Sequence, residues 1–149
     1  MTSRVRPGNV PVPEAHLAGI VAAVVLHALR PWRLPGPRRM HLLAGGASIA
    51  AGVWLVVRSV AAAGQVDVST PSRLVTSGPY ADSRNPMYVG WTLLHLGLGV
   101  GHGSAWTLAT LPASCLRIHR EILDEEDALA DAFGEEFEHY RATVPRYLP

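Results

Sequence analysis

Two short segments hold the residues whose types and spacing could do chemistry. The first runs from Ser77-Gly78-Pro79-Tyr80 to Arg84-Asn85-Pro86-Met87-Tyr88. Ser77-Gly78-Pro79-Tyr80 has the signature of a turn, since Gly accepts positive φ and Pro fixes the residue after it. Asn85-Pro86 marks a helix start, because Asn caps well and Pro is favoured at the first helical position. Arg84 and Asn85 then stand where the positive end of that helix dipole points, and Tyr88 faces the same mouth from the first turn. The second segment is acidic and contains Glu121, Glu125 and Glu126. Glu121 and Glu125 are four apart on one helix face, which is unfavourable unless a cation lies between them. A carboxylate beside Tyr80 and Tyr88 suits a cationic ligand, because aromatic faces attract positive charge. The plainer reading, a solvated acidic face, fits Glu135, Glu136 and Glu138.

The elements that must position these residues are strongly apolar. In 149 residues the hydrophobic types reach 48% and the charged types only 17%. No formal charge occurs in 15–29, in 41–57, or in the 32 residues of 85–116. A bilayer core needs about 20 apolar residues as helix. The expected architecture is therefore an all-α integral membrane bundle of about four transmembrane helices, at 15–29, 41–61, 86–99 and 104–118. A Gly-rich break at 99–103 separates the last two, whose short lengths imply tilt or local thinning. Residues 1–14 read as a flexible arm, 62–85 as the loop carrying the first segment, and 119–149 as a cytosolic helical tail, the whole forming one domain. In the tail Ile118, Ile122, Leu129 and Phe133 recur at helical spacing. Gly134 fits a helix stop, and 135–142 fits a further short helix. Arg120 and Asp124 can pair one turn apart. Glu125 and Glu126 fall roughly 10–15 Å beyond the membrane exit, close enough to fold back over Arg84 and Tyr88.

Charge is sorted along the chain. All 13 basic residues are Arg; residues 1–116 carry a net +6 and residues 117–149 a net −5. Arg near helix ends favours a multi-pass cell-membrane protein whose N-terminus, loop and tail face the cytoplasm. The composition excludes a disordered chain. A lone Cys115 excludes a disulfide scaffold. The absence of an excess-basic stripe argues against nucleic acid as a partner.

The two segments together resemble the isoprenylcysteine carboxyl methyltransferase family, with the phospholipid methyltransferases as more distant relatives. The resemblance rests on Leu74, Val75, Gly78, Tyr80, Arg84, Asn85, Pro86 and Tyr88, then on Glu125, Glu126, Leu129, Phe133, Gly134, Phe137, Tyr140, Pro145 and Pro149. It covers about half the chain, in order. It implies a membrane enzyme that uses S-adenosyl-L-methionine without a Rossmann domain, in keeping with the lack of a G-x-G-x-x-G motif. The implied cofactor contacts are Gln65, Ser72, Arg73, Leu74, Val75, Tyr80, Asn85, Pro86, Met87, Tyr88 and Glu125. Arg84 and Arg120 are candidates to position an anionic acceptor, with Glu126 in support of Glu125. The acceptor implied is a lipophilic small molecule, with the carboxylate of a prenylated or isoprenoid-like compound favoured. Two departures stand out: Asn85 replaces a His usual in eukaryotic members, and Glu121, with Arg120 beside it, falls where they carry an Arg.

His95 lies inside the third helix and could contact substrate or make an interhelical hydrogen bond. The seven His lack the clustered spacing of a metal site, and none is expected. Trp32, Trp54, Trp91 and Trp106 fall where interface anchors fall. Gly45, Gly46 and Gly52 suggest close helix contact within the bundle or in a homodimer, and Gly97, Gly99 and Gly101 either close packing or a groove open to membrane lipids and substrate. Two other readings stay open: a nicotinamide-dependent membrane reductase of related architecture, and a non-enzymatic membrane adaptor.

Overall fold

The uncharged stretches fold as helices in a computed structural model that describes residues 13–64 and 73–148. The N-terminal arm, Gln65, Ser72 and Pro149 lie outside the described residues. Helix α1 is Glu14–Leu29, α2 Arg38–Ala63, α3 Pro86–His102, α4 Ala105–Phe133 and α5 Glu135–Thr143, with a 3-10 turn at Gly78–Ala81 before α3. The described residues contain an isolated bridge between Arg33 and Ser104 but no strand. The class is all-α. Helix α2 is long and apolar enough to cross a bilayer, and α1 is a shorter apolar helix.

The fourth expected span and the start of the tail form one helix. α4 continues for 29 residues without interruption and ends at Gly134, whose φ of 53° an L side chain would resist. α3 likewise runs through the Gly-rich stretch to His102 and stops at Gly103, at φ 71°. Helical glycines are tolerated there because their missing side chains are what the packing uses.

α2 packs most extensively on α3, α1 on α4, and α3 on α4. A Cβ on Gly45 would strike the backbone of Gly101, one on Gly52 would lie 2.8 Å from the Gly90 carbonyl, and one on Gly97 2.8 Å from the Gly45 carbonyl. Ser48 Oγ donates to the Leu93 carbonyl across the same seam at 2.8 Å. Small residues let helix backbones approach this closely. The glycine positions therefore serve packing inside the chain. Gly97 and Gly101 face α2, and Gly99 faces Thr107 and Leu108 of α4, so the alternative of an open groove at these positions is not realised. Gly46, by contrast, has nothing within 4 Å of an added Cβ. Gly45→Ala is expected to cost about 1–3 kcal/mol by overpacking, whereas Gly46→Ala should be neutral or stabilising by up to about 1 kcal/mol. Thermal unfolding of the two variants side by side tests this; equal midpoints would contradict the seam.

A polar pillar ties α1, α3 and α4 together. His16 and His95, both buried, meet through their Nδ1 atoms at 3.0 Å. His95 Nε2 lies 3.1 Å from the Thr107 carbonyl and 3.3 Å from Thr110 Oγ1. The carbonyl requires Nε2 to carry the proton, so His95 Nδ1 accepts and His16 Nδ1 donates. His95 is thus a satisfied interhelical residue and does not reach the cavity described below.

At one end of the bundle, the connection between α1 and α2 is pinned to the α3–α4 hairpin. Leu34 N donates to the Gly103 carbonyl, Ala105 N to the Trp32 carbonyl, and Trp106 Nε1 to the Arg30 carbonyl. Trp32 and Trp106 meet edge to face there. Trp91 differs from an interface anchor, since its Nε1 is buried without a partner. The start of α1, the segment before α3 and the C-terminal tail gather at the opposite end. There Tyr88, Ile118 and Ile122 form a buried cluster against Ala15 and Tyr147.

Candidate functional site

At that opposite end the chain folds back on itself. The last turn before α3 is held by the tail: Arg84 N donates to the Pro145 carbonyl at 2.9 Å, Asn85 Nδ2 to the Arg146 carbonyl at 3.1 Å, and Tyr140 Oη to the Tyr80 carbonyl at 2.6 Å. Asn85 occupies the N-cap position of α3 yet makes no side-chain cap. Its amide is used to fasten the strap.

Below the strap lies a cavity of about 370 Å³, within the range typical of small-molecule and cofactor sites. Arg73, Leu74 and Val75 form one wall, and Tyr80, Asn85, Met87 and Tyr88 a second. The third wall is α4, with Glu125, Ala128, Leu129 and Ala132 at helical spacing. Phe137 and Tyr140 of α5 close the far side, with Phe137 only 1% exposed. Eight of the eleven residues expected to contact a cofactor thus meet around one space. Pro86 lines the other side of the segment before α3, and Gln65 and Ser72 fall outside the described residues.

Two carboxylates adjacent in sequence have opposite surroundings. Glu125 stands at the open mouth and accepts a 2.8 Å hydrogen bond from Tyr88 Oη. Burial pushes its carboxyl upward; the Tyr88 hydroxyl opposes this and the Glu121 charge adds to it, leaving the group above the ordinary carboxylate range. Burial also raises the Tyr80 phenol to about 12, with the Glu125 charge contributing. Tyr80, Tyr88 and Glu125 therefore present oxygen groups to the cavity that make no ion pair among the described residues.

Glu126, about 100° further round α4, also lines the cavity, together with Arg84, but its carboxylate is saturated. Arg84 Nη2 and Arg146 Nη2 approach it at 2.9 and 2.8 Å, with Nε of each arginine adding a bond at 3.2 and 3.0 Å. Burial would raise this carboxyl too, but the hydrogen bonds from Arg146 and Arg84 outweigh it and hold the group low. The Arg84 side chain is only 8% exposed, and its Nη1 donates to the Arg141 and Val144 carbonyls.

The geometry revises several sequence expectations. Arg84, a candidate to position an anionic acceptor, and Glu126, a candidate to support Glu125, both line the cavity but satisfy each other: the guanidinium is engaged by Glu126 and by the Arg141 and Val144 carbonyls. Arg120 is exposed on α4 and does not line the cavity, and its side chain does not pair with Asp124. The neighbouring ion pair is Arg117–Glu121 at 2.8 Å. Arg73 is the arginine on the cavity wall whose guanidinium makes no ion pair among the described residues. Ala63, Ala128, Leu129, Ala132, Phe137 and Tyr140 were not anticipated as lining residues. Their signal was present for α4, where 125, 128, 129 and 132 share one face.

A family model described as phospholipid methyltransferase matches residues 40–136, which include all three walls except the α5 contacts. Protein-S-isoprenylcysteine O-methyltransferase of Homo sapiens is 36% identical over 86 residues, covering 57% of this chain and 30% of that protein. The Xenopus laevis protein of the same name is 35% identical over the same length. Cobalt-zinc-cadmium resistance protein CzcN of Cupriavidus metallidurans is 39% identical over 77 residues, 51% of this chain and 35% of that one. The matched stretch thus spans about a third of the length of each of these relatives. No solved structure matches the chain.

Proposed function

Since the chain belongs to the phospholipid methyltransferase family, we propose that it is a membrane methyltransferase holding S-adenosylmethionine in the cavity over Tyr88 and Glu125. The observation that carries this reading is the Tyr88–Glu125 pair, an acidic group without a cationic partner beside the apolar wall of Leu74, Val75, Met87 and Leu129. A ligand with a cationic centre, an aromatic base and a carboxylate fits that lining. Glu125 and the phenol faces of Tyr80 and Tyr88 suit the cation. Leu74, Val75, Met87 and Leu129 suit the base, and Arg73 suits the carboxylate. When bound, the cofactor supplies a methyl group activated on a sulfonium. The chain's part is to orient the reactants and exclude water. Phe137 and Tyr140 cover the far wall, and the Arg84–Glu126–Arg146 clamp holds that cover down.

The acceptor we favour is the carboxylate of a lipophilic, isoprenoid-like small molecule; the name of the Homo sapiens relative prints protein S-isoprenylcysteine and O-methyl transfer. A carboxylate needs no general base, which suits a cavity with no uncommitted histidine on its wall. With Arg84 engaged and Arg120 outside, Arg73 is the residue placed to orient it.

Helices α1 to α4 are read as membrane spans, with the site on the cytoplasmic side. Support comes from the apolar side chains they turn outward, among them Val21 and Val24 on α1, Leu43 and Trp54 on α2, Leu98 on α3 and Leu116 on α4. α1 and α3, at 16 and 17 residues, span about 24–26 Å, short of a bilayer core of about 30 Å, so local thinning accompanies them.

The test is ligand-dependent unfolding of the purified protein in detergent. S-adenosylhomocysteine at a hundredfold excess over its Kd should add about 2.7 kcal/mol, a rise in Tm of roughly 5–10 °C. NADPH should leave Tm unchanged. No shift with S-adenosylhomocysteine, or an equal shift with NADPH, would sink the reading.

A further inference from the structure

A second cavity, of about 240 Å³, lies on the other side of the segment before α3. It is bounded by α2, the 3-10 turn and the first turns of α3, and it faces away from Glu125. Its floor is apolar, formed by Leu55, Pro79, Pro86, Val89 and Leu148. Two opposite charges stand on its rim, Arg58 and Asp82. They do not pair with each other, and neither makes an ion pair with any described residue. Both side chains are exposed. The Arg58 guanidinium rests over the Trp54 ring, 5.8 Å from its centroid, and Trp54 itself is 61% exposed.

Unpaired opposite charges on one small rim are informative. An anion alone would meet Asp82 and a cation alone would meet Arg58; a ligand carrying both signs satisfies both. The depth is also specific. Arg58 lies within the last two turns of α2, and Trp54 one turn deeper, the order in which a basic residue and a Trp meet a bilayer surface. Val53 and Val57 flank Trp54 on the same outward side of α2, both exposed, which offers an apolar track for an acyl chain.

We propose that this cavity is a binding site for the headgroup of a zwitterionic phospholipid, with its phosphate at Arg58 and its ammonium at Asp82. The site is separate from the reacting one, because Pro86 and Ser83 line this side while Asn85 and Met87 line the other. Its lipid fastens the end of α2 to the turn before α3. The proposal rests on the reading that α2 crosses a bilayer.

The experiment uses the full chain delipidated in detergent, with bound lipid counted by native mass spectrometry. The probe is phosphatidylcholine, which is already fully methylated and cannot act as an acceptor. Phosphatidylglycerol is the anionic comparison and diacylglycerol the uncharged one. Wild type should retain phosphatidylcholine in preference to both. Arg58→Gln should weaken it about fivefold, the effect of one basic residue at a lipid surface. Asp82→Asn should invert the preference toward phosphatidylglycerol, which a purely structural role for Asp82 would not do. S-adenosylhomocysteine binding by both variants should match wild type, and this readout separates failure here from failure of the cofactor reading. Equal retention of the three lipids, a wild-type preference for phosphatidylglycerol, or an unchanged preference in Asp82→Asn would overturn the proposal.

Discussion

Glu126→Ala is expected to cost about 3–5 kcal/mol of stability and to release the C-terminal strap from the cavity. The side chain is 6% exposed and accepts bonds from two guanidiniums, Arg84 and Arg146. Deleting it leaves Arg84, 8% exposed, as an uncompensated charge. Breaking a buried pair from one side is costly for that reason, whatever the pair's net worth when intact. Against a total stability of about 5–15 kcal/mol, the loss is large. It should fall first on the tail, because Glu126 links Arg84 on the segment before α3 to Arg146 beyond α5. The variant should therefore lose S-adenosylhomocysteine binding although Glu126 need not touch the ligand. The pH dependence follows from the direction of the shift. A carboxyl held below its unfolded value of about 4.3 contributes stability that is present above that value and is lost as pH falls through the lowered folded one. Wild type should loosen on acidification through that window, and Glu126→Ala should not show this component. Chemical unfolding at neutral and acid pH measures both effects. A variant within about 1 kcal/mol of wild type would mean that the clamp is a surface-like pair and not the fastener of the site.

Glu125→Gln is expected to leave the fold intact and to weaken S-adenosylmethionine by roughly ten- to a hundredfold, the range for losing a hydrogen bond to a charged group. Tyr88→Phe should act in the same direction, since its hydroxyl holds the carboxylate at 2.8 Å. Here the pH sign is reversed. Burial and the Glu121 charge lift the Glu125 carboxyl above the ordinary range. In the free protein its contribution to stability is complete below the unfolded value and is lost as pH rises through the raised folded one. A bound cation favours the ionised form, so affinity should climb with pH across Glu125's titration and then level off, with proton release on binding. Glu125→Gln should bind with a flat profile over the same interval. Calorimetry in two buffers of different ionisation enthalpy reads both the affinity and the proton count. Wild-type affinity that does not change with pH, or a Gln variant that binds as tightly as wild type, would remove Glu125 from the site.

The cavity was largely legible from local patterns. The Gly78-Pro79 turn and the Asn85-Pro86 helix start placed Tyr80 and Tyr88 on adjoining turns, and both line the space. Gly134 ended α4 where a positive φ was needed. Less legible were contacts whose partners lie far apart in sequence. Asn85 has the sequence of a cap, yet its amide serves the Arg146 carbonyl, 61 residues away. Arg84 has the sequence of an anion-binding residue, yet Glu126, 42 residues away, takes its charge.

The sequence by itself determined the apolar helices, their stops, the turn that opens α3, and the acidic pair that would return to it. Only the tertiary structure decided which of the two acids, both on the cavity wall, is left without a cationic partner. Glu125 and Glu126 are neighbours, about 100° apart around the helix axis, and either could be the one left unpaired. The choice follows from the rotation of α4, and that rotation is fixed by burying Ile118 and Ile122 against Tyr88. Burial of those two side chains brings Glu125 to the Tyr88 hydroxyl and Glu126 to Arg84 and Arg146. Helical periodicity tells which residues share a face; the orientation of that face is set by long-range packing.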